Sequence, residues 1–355
     1  MVRVTGNFQS ETALNSLARE ALLAALESGW ADPKKIGQVP SKAALLRTSA
    51  IESLAFGLGV KADQIEITGE VGLGYFLALG GFLSADQKLF YGAGDRSGVI
   101  ATARSHLGIS EIIPLSADGK LDFSKIAISK RSILSLQLAN GETGAINQLP
   151  QSLPEDLLIA VDATASGNRI ALPKNWSSAV FDSRSWEGPA GLAIVAIADA
   201  ANWKNPLPHI SAVRRTYGTF SLPLLIASAV ALENFAPDDA NIRSLTSKLR
   251  TEILREFPSA IIAGKLDHSM PHLTSFIFPQ CNGEEILRGL STRGLSVDSG
   301  SACTAMNLQP SHVLAAMGLP TDGNIRITLH AQTTADEVDL LINALVDEVR
   351  SQQQR

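Results

Sequence analysis

Apolar residues recur at helical spacing over residues 14–27 and again over 42–58, where Gly59 ends the run, so the pattern predicts two amphipathic helices. A short strand follows at 64–68, then a glycine-rich turn at 69–74, then an apolar helix over 75–82. Strand patterns recur at 88–91, 111–115, 132–138, 157–162, 178–182 and 191–196, with helix-like stretches between several of them. This alternation predicts an α/β fold with a mostly parallel central sheet, in which ligands meet the loops at the carboxyl ends of strands. A helix at 222–236, a turn at 237–239 and a helix reaching about residue 257 come next. The rhythm then changes to a strand at 272–278, a helix at 283–294 and strands at 295–298 and 324–329. Thr334-Ala-Asp-Glu337 opens the last helix as a capping box. The expected organisation is an N-terminal arm at 1–13, a large α/β domain at 14–239 and a smaller α+β domain at 240–355.

Composition narrows the partners more than the fold. With 45% hydrophobic and 18% charged residues over 355 positions, the chain can bury a substantial core. A formal charge of -5 without a dense Lys/Arg run argues against nucleic acid and anionic membrane, and for small-molecule or protein partners. No apolar run reaches the roughly 18 residues of a membrane helix and no signal peptide opens the chain, so a cytoplasmic location is expected. Cys281 and Cys303 are the only cysteines; their separation suggests neither a disulfide framework nor a paired metal motif.

Four positions carry candidate chemistry. Cys303 lies in Asp298-Ser-Gly-Ser-Ala-Cys-Thr-Ala-Met306, a run of small residues. It is either a small buried hydrophobe or a thiol on a loop built to swing. Asp162 ends an apolar strand where the sheet opens to ligands; it either caps the next segment or holds a protonated ring nitrogen. Asn140, in the segment 136–144, and the segment 181–191 put polar groups at further strand ends, where turn chemistry alone would also place them. Arg326 sits between Ile325 and Ile327 and needs a carboxylate, from the protein or from a substrate.

Taken in order, these pieces resemble the cysteine desulfurases, a branch of the class V aminotransferases with the PLP-dependent transferase type I fold. The likeness runs from about residue 14 to 350 and rests on "SVDSGSACTA" (296–305), "PSHVLAAMGLP" (310–320), "NIRITLHAQTTADEVDLLINAL" (324–345), "LSLQLANGETGAI" (134–146) and "IAVDATAS" (159–166). In that family pyridoxal 5'-phosphate (PLP) is held as a Schiff base on a lysine, and a mobile thiolate takes sulfur from L-cysteine as a persulfide. The resemblance gives Cys303 the thiol role, Arg326 the substrate carboxylate, Asp162 the ring nitrogen and Asn140 the ring hydroxyl. Thr219, in "RRTYGTF" (214–220), takes the place of a threonine that reaches the neighbouring subunit's cofactor, which implies a homodimer.

The same register exposes departures. The lysine position falls on Ser185 and the histidine before it on Arg184. The phosphate turn becomes Val71-Gly72-Leu73, the ring-stacking histidine falls on Arg96 and a glutamine falls on Ala165. Lys174 and Lys204 flank the region without projecting from the required turn. Three readings follow: a desulfurase-like protein without Schiff-base chemistry that binds, scaffolds or relays sulfur to an acceptor protein through Cys303; an active desulfurase or related lyase with PLP held non-covalently; or a site for an amino acid or anion using Arg184, Arg96 and Glu187, unless those arginines simply pair with neighbouring acids.

Overall fold

The computed structural model of the chain describes residues 6–28, 31–207, 221–300 and 310–354. In chain order its first elements are β1 (Asn7–Phe8), α1 (Ser16–Ser28), α2 (Gln38–Leu58), β2 (Ile65–Thr68), α3 (Val71–Gly80), β3 (Lys88–Gly92), α4 (Ser97–Ser105) and β4 (Ser110–Ile113). The central strands β5 (Ser132–Gln137), β6 (Leu158–Asp162), β7 (Ser178–Asp182) and β8 (Ala193–Ile197) follow. The last third holds α5 (Leu222–Glu233), α6 (Asp239–Glu256), β9 (Ile261–Ala263), β10 (Leu273–Ile277), α7 (Gly283–Thr292), β11 (Ser296–Val297), α8 (His312–Ala316), β12 (Asn324–Thr328) and α9 (Ala335–Gln353).

Seven strands form the main sheet in the order β2-β8-β7-β6-β5-β3-β4. From β4 across to β7 every neighbouring pair is parallel, and β8 runs antiparallel to both β7 and β2. Each central strand is buried along its length because the sheet is covered on both faces. Alternation then sorts the side chains into two cores. Leu134, Leu136, Ile159, Val161, Ala179, Phe181, Ile194 and Ala196 pack with α1, α2 and α5. Ile133, Ala160, Val180, Val195 and Ile197 pack with α3 and α4.

A second, three-stranded sheet, β12-β10-β9, is antiparallel throughout. Ile242, Leu249 and Ile253 of α6, Ile286 and Leu290 of α7 and Leu341 and Leu345 of α9 form one core with strand residues Phe276, Ile325 and Ile327. Phe8 belongs to this core: β1 pairs in parallel with β11, some 290 residues later in the chain.

Sequence expectations and structure differ most at α3. The glycine-rich stretch expected to be a turn is the first part of that helix, because Glu70 caps it: Gly72 N donates to Oε1 and Leu73 N to Oε2, both at 2.7 Å. The expected stop at Gly59 is present as a left-handed C-cap with φ 68°. The Thr334–Glu337 capping box is also present.

Candidate functional site

The carboxyl ends of β3, β5, β6 and β7 open into one cavity of about 640 Å³, closed on the far side by the β12 strand and the segment after it. Register explains why the polar strand ends meet there. Gln137 and Asp162 are partners across β5 and β6, and one strand further on β7 ends in Asp182.

Asp162 is buried and satisfied from within. Its Oδ1 accepts from Thr164 N at 2.9 Å and from the Thr164 hydroxyl at 2.7 Å, and Oδ2 accepts from Gln137 Nε2 at 3.4 Å. Since the Thr164 proton points at the carboxylate, Tyr75 supplies the proton in its 2.7 Å bond to Thr164 Oγ1. Burial, reinforced by the charge of Asp162, pushes the Tyr75 phenol upward, so it stays protonated. Asn140 is equally committed. Its Nδ2 donates to Gly94 O at 3.1 Å and Gln137 Oε1 at 2.9 Å, while Oδ1 accepts from the amides of Glu142 and Thr143.

At the turn after β7, Asp182 Oδ1 accepts from Arg184 N at 3.0 Å, and the Ser185 hydroxyl donates to Asp182 O at 2.7 Å. Arg184 folds back onto Asp182, with Nη2 2.7 Å from Oδ2, and reaches Glu11 at 3.3 Å. The arginine therefore pairs with a neighbouring acid, the plainer of the two expectations for it. Arg96, at the N-terminus of α4, lies against Gly141, where an added Cβ would stand 2.3 Å from Nη2. Among the described residues Arg96 forms no ion pair. Glu187 lines the same cavity; burial pushes its carboxyl up, against a hydrogen bond from Asn15 and the charge of Arg169.

Arg326 finds its carboxylate inside the protein: Nη2 lies 3.0 Å from Asp298 Oδ2, and Nη1 reaches Gly141 O at 3.5 Å. Asp298 and Arg326 also exchange both backbone hydrogen bonds. Cys303 and Thr219 lie outside the described residues. Cys281 is packed in the α6–α7–α9 core, where burial pushes its thiol up and away from reactivity.

Every lysine of the chain falls within the described residues, and none of them lines the cavity. Sequence reasoning missed several groups that do: Arg169, His272, Thr328 and His330. Asp95, which also lines the cavity, was expected only as an acid for the arginines to pair with. The two histidines gave no signal, since a single histidine beside a strand has no local signature.

Residues 101–341 match the family described as aminotransferase class-V. The chain is 27% identical over 249 residues to the cysteine desulfurase NifS of Azotobacter vinelandii, an alignment that takes in 65% of this chain and 62% of that protein's length. To a cysteine desulfurase of Cereibacter sphaeroides it is 27% identical over 383 residues, 99% of this chain and 97% of the relative. A solved NifS-like protein superposes with a TM-score of 0.84 at 21% identity, over 97% of this chain and 98% of the other.

Proposed function

We propose, from the premise that this chain belongs to the aminotransferase class-V family, that it keeps the framework of a cysteine desulfurase without Schiff-base chemistry and acts as a binding or sulfur-relay protein through Cys303. The fold is the PLP-dependent type I fold of the NifS-like structures, and PLP is the cofactor of the family.

The observation that carries the reading is the lysine-free cavity. A primary amine must face the cofactor aldehyde to hold it covalently, and the position aligned with that amine presents the Ser185 hydroxyl, already donated to Asp182 O. One further feature agrees. The α3 amides that stand where the resemblance puts the phosphate turn are taken by the Glu70 carboxylate, which repels a phosphate. The residues present do not fit a covalently held PLP.

A relay at Cys303 needs only thiol exchange. The Cys303 thiolate attacks the outer sulfur of a donor persulfide, the donor S–S bond breaks, the donor leaves as a thiol, and Cys303 carries the persulfide with no net oxidation. The resemblance to the cysteine desulfurases implies a dimer and transfer of sulfur to an acceptor protein, and we extend both properties to this chain. A monomeric mass by light scattering would remove the first extension, and failure of Cys303 to accept sulfur from a small-molecule persulfide would remove the second.

The central test is spectroscopic. Protein incubated with PLP and then reduced with borohydride is expected to show no stoichiometric reduced adduct on any peptide, and to release no alanine from L-cysteine. A single labelled residue at one equivalent would overturn the reading. Alanine release that disappears in Cys303→Ala would establish an active desulfurase in its place.

A further inference from the structure

We propose that the cavity contains a separate subsite for a small oxyanion, built by Arg169, Thr328, His272 and His330. All four line the same space, and none belongs to the residues that the family resemblance assigned. Three polar atoms there are buried and find no hydrogen-bond partner: Thr328 Oγ1, His272 Nδ1 and His330 Nε2. Thr328 is only 5% exposed, so bulk water does not serve its hydroxyl. Backbone pairing brings the two strand ends that carry these residues side by side: Leu273 is the register partner of Thr328, and Leu329 N donates to His272 O at 2.7 Å. Buried polar atoms in native proteins are overwhelmingly paired, so three orphans on residues lining one cavity mark a place where a partner belongs.

Arg169 sets the sign of that partner. Its guanidinium lies over the Phe235 ring at 4.6 Å, with Nε 3.3 Å from Asp239 Oδ1 and Nη1 3.3 Å from Ser185 O. Arg169 lines the cavity, with the charges of Asp239 and Glu187 beside it. A fixed guanidinium excludes a cation, and no cluster suited to a metal ion occurs among the described residues. A planar carboxylate or a tetrahedral sulfate-like group matches a guanidinium, a hydroxyl and imidazole N–H donors.

The imidazoles make binding depend on protons. His272 faces Arg169 and His330; His330 faces Arg169 and Asp298 and donates to the Gln9 carbonyl; Glu187 stands beside Arg169. Burial first, and then Arg169, hold both rings below their ordinary range, so both are neutral near pH 7, and in His330, which donates to Gln9, the orphaned Nε2 is the bare nitrogen. An incoming oxyanion reverses this balance: it favours the imidazolium form and converts an acceptor into a donor. Binding therefore takes up protons and weakens as pH rises.

Titration calorimetry on the full chain tests this with sodium sulfate and sodium acetate, probes whose own charge is constant between pH 6 and 8. Two buffers of different ionisation enthalpy report proton uptake. The expected result is saturable binding of at least one anion, at least tenfold tighter at pH 6 than at pH 8, with protons taken up. Tighter acetate points to a carboxylate ligand, and tighter sulfate to a sulfate or phosphate ester. Thr328→Val should weaken binding about tenfold while melting no lower than wild type, since it removes an unpaired hydroxyl at constant shape. His330→Gln should reduce proton uptake and flatten the pH dependence. The proposal falls if neither anion saturates, if binding proceeds without proton uptake, or if both variants bind as wild type does. It stands apart from the fate of the cofactor, because an adduct in the borohydride experiment would leave these titrations to be judged on their own.

Discussion

Asp95 is 1% exposed, with Oδ2 accepting from Gly92 N at 3.0 Å and from the Ser135 hydroxyl at 2.9 Å. Burial raises its carboxyl to about 7, with Asp162 adding to the rise and the two donors opposing it. Folded protein therefore keeps this proton after the unfolded chain has lost it. The stability it contributes is fully present below about pH 4 and is lost as pH climbs through about 7. Asp95→Asn removes that loss, so its melting temperature should match wild type at pH 4 and exceed it by roughly 2–4 °C at pH 8. Equal melting at pH 8 would show that the carboxylate is compensated by other groups. At this scale the sequence indicated Asp162 as a buried strand-end acid and Arg326 as an arginine in need of a carboxylate. It could not choose between a protein and a substrate partner for Arg326, because Asp298 is distant in the chain and meets it only through strand pairing. Thr328, His272 and His330 were illegible for the same reason: an orphaned atom is defined by what surrounds it in space.

Elements with a sustained period were read well, and those governed by one capping side chain were not. The β7 boundaries follow directly from an apolar run ending in Asp182, while α3 begins before its expected start because glycine-rich sequence reads as turn. The carboxylate of Glu70 changes the outcome by satisfying two amides that a helix start leaves open. Glu70→Ala is expected to cost about 1 kcal/mol in denaturant unfolding, and Glu70→Gln less, since the amide oxygen still accepts. An unchanged unfolding midpoint in Glu70→Ala would mean that the cap contributes nothing. The strand expected at 295–298 contains β11, but the two-residue β1 lies below the length at which alternation can be seen, so their pairing had no sequence signal.

The whole molecule was legible as an α/β layer with a mostly parallel sheet, and strand order was not, because order depends on which loop closures the packed cores permit. The antiparallel β8 at the side of β7 is one such feature. The pairing of segments some 290 positions apart is another. Phe8 is 1% exposed inside the α6–α7–α9 core, and Ser10 N donates to Asp298 Oδ2 at 2.7 Å. Phe8→Ala should therefore destabilise by about 3–5 kcal/mol, as for any large buried aromatic, and should do so by loosening the C-terminal sheet. Hydrogen exchange would check the location: faster exchange confined to α1 and α2 would contradict it.

The β1–β11 pairing also sets an order of events at the ribosome. Ser10 and Asp298 are separated by 288 positions, so at ~5–20 residues per second the first strand emerges roughly 15–60 s before its mate exists. During that interval Phe8 lacks its β11 neighbours, and a nascent chain halted short of β11 offers chaperones an exposed apolar segment.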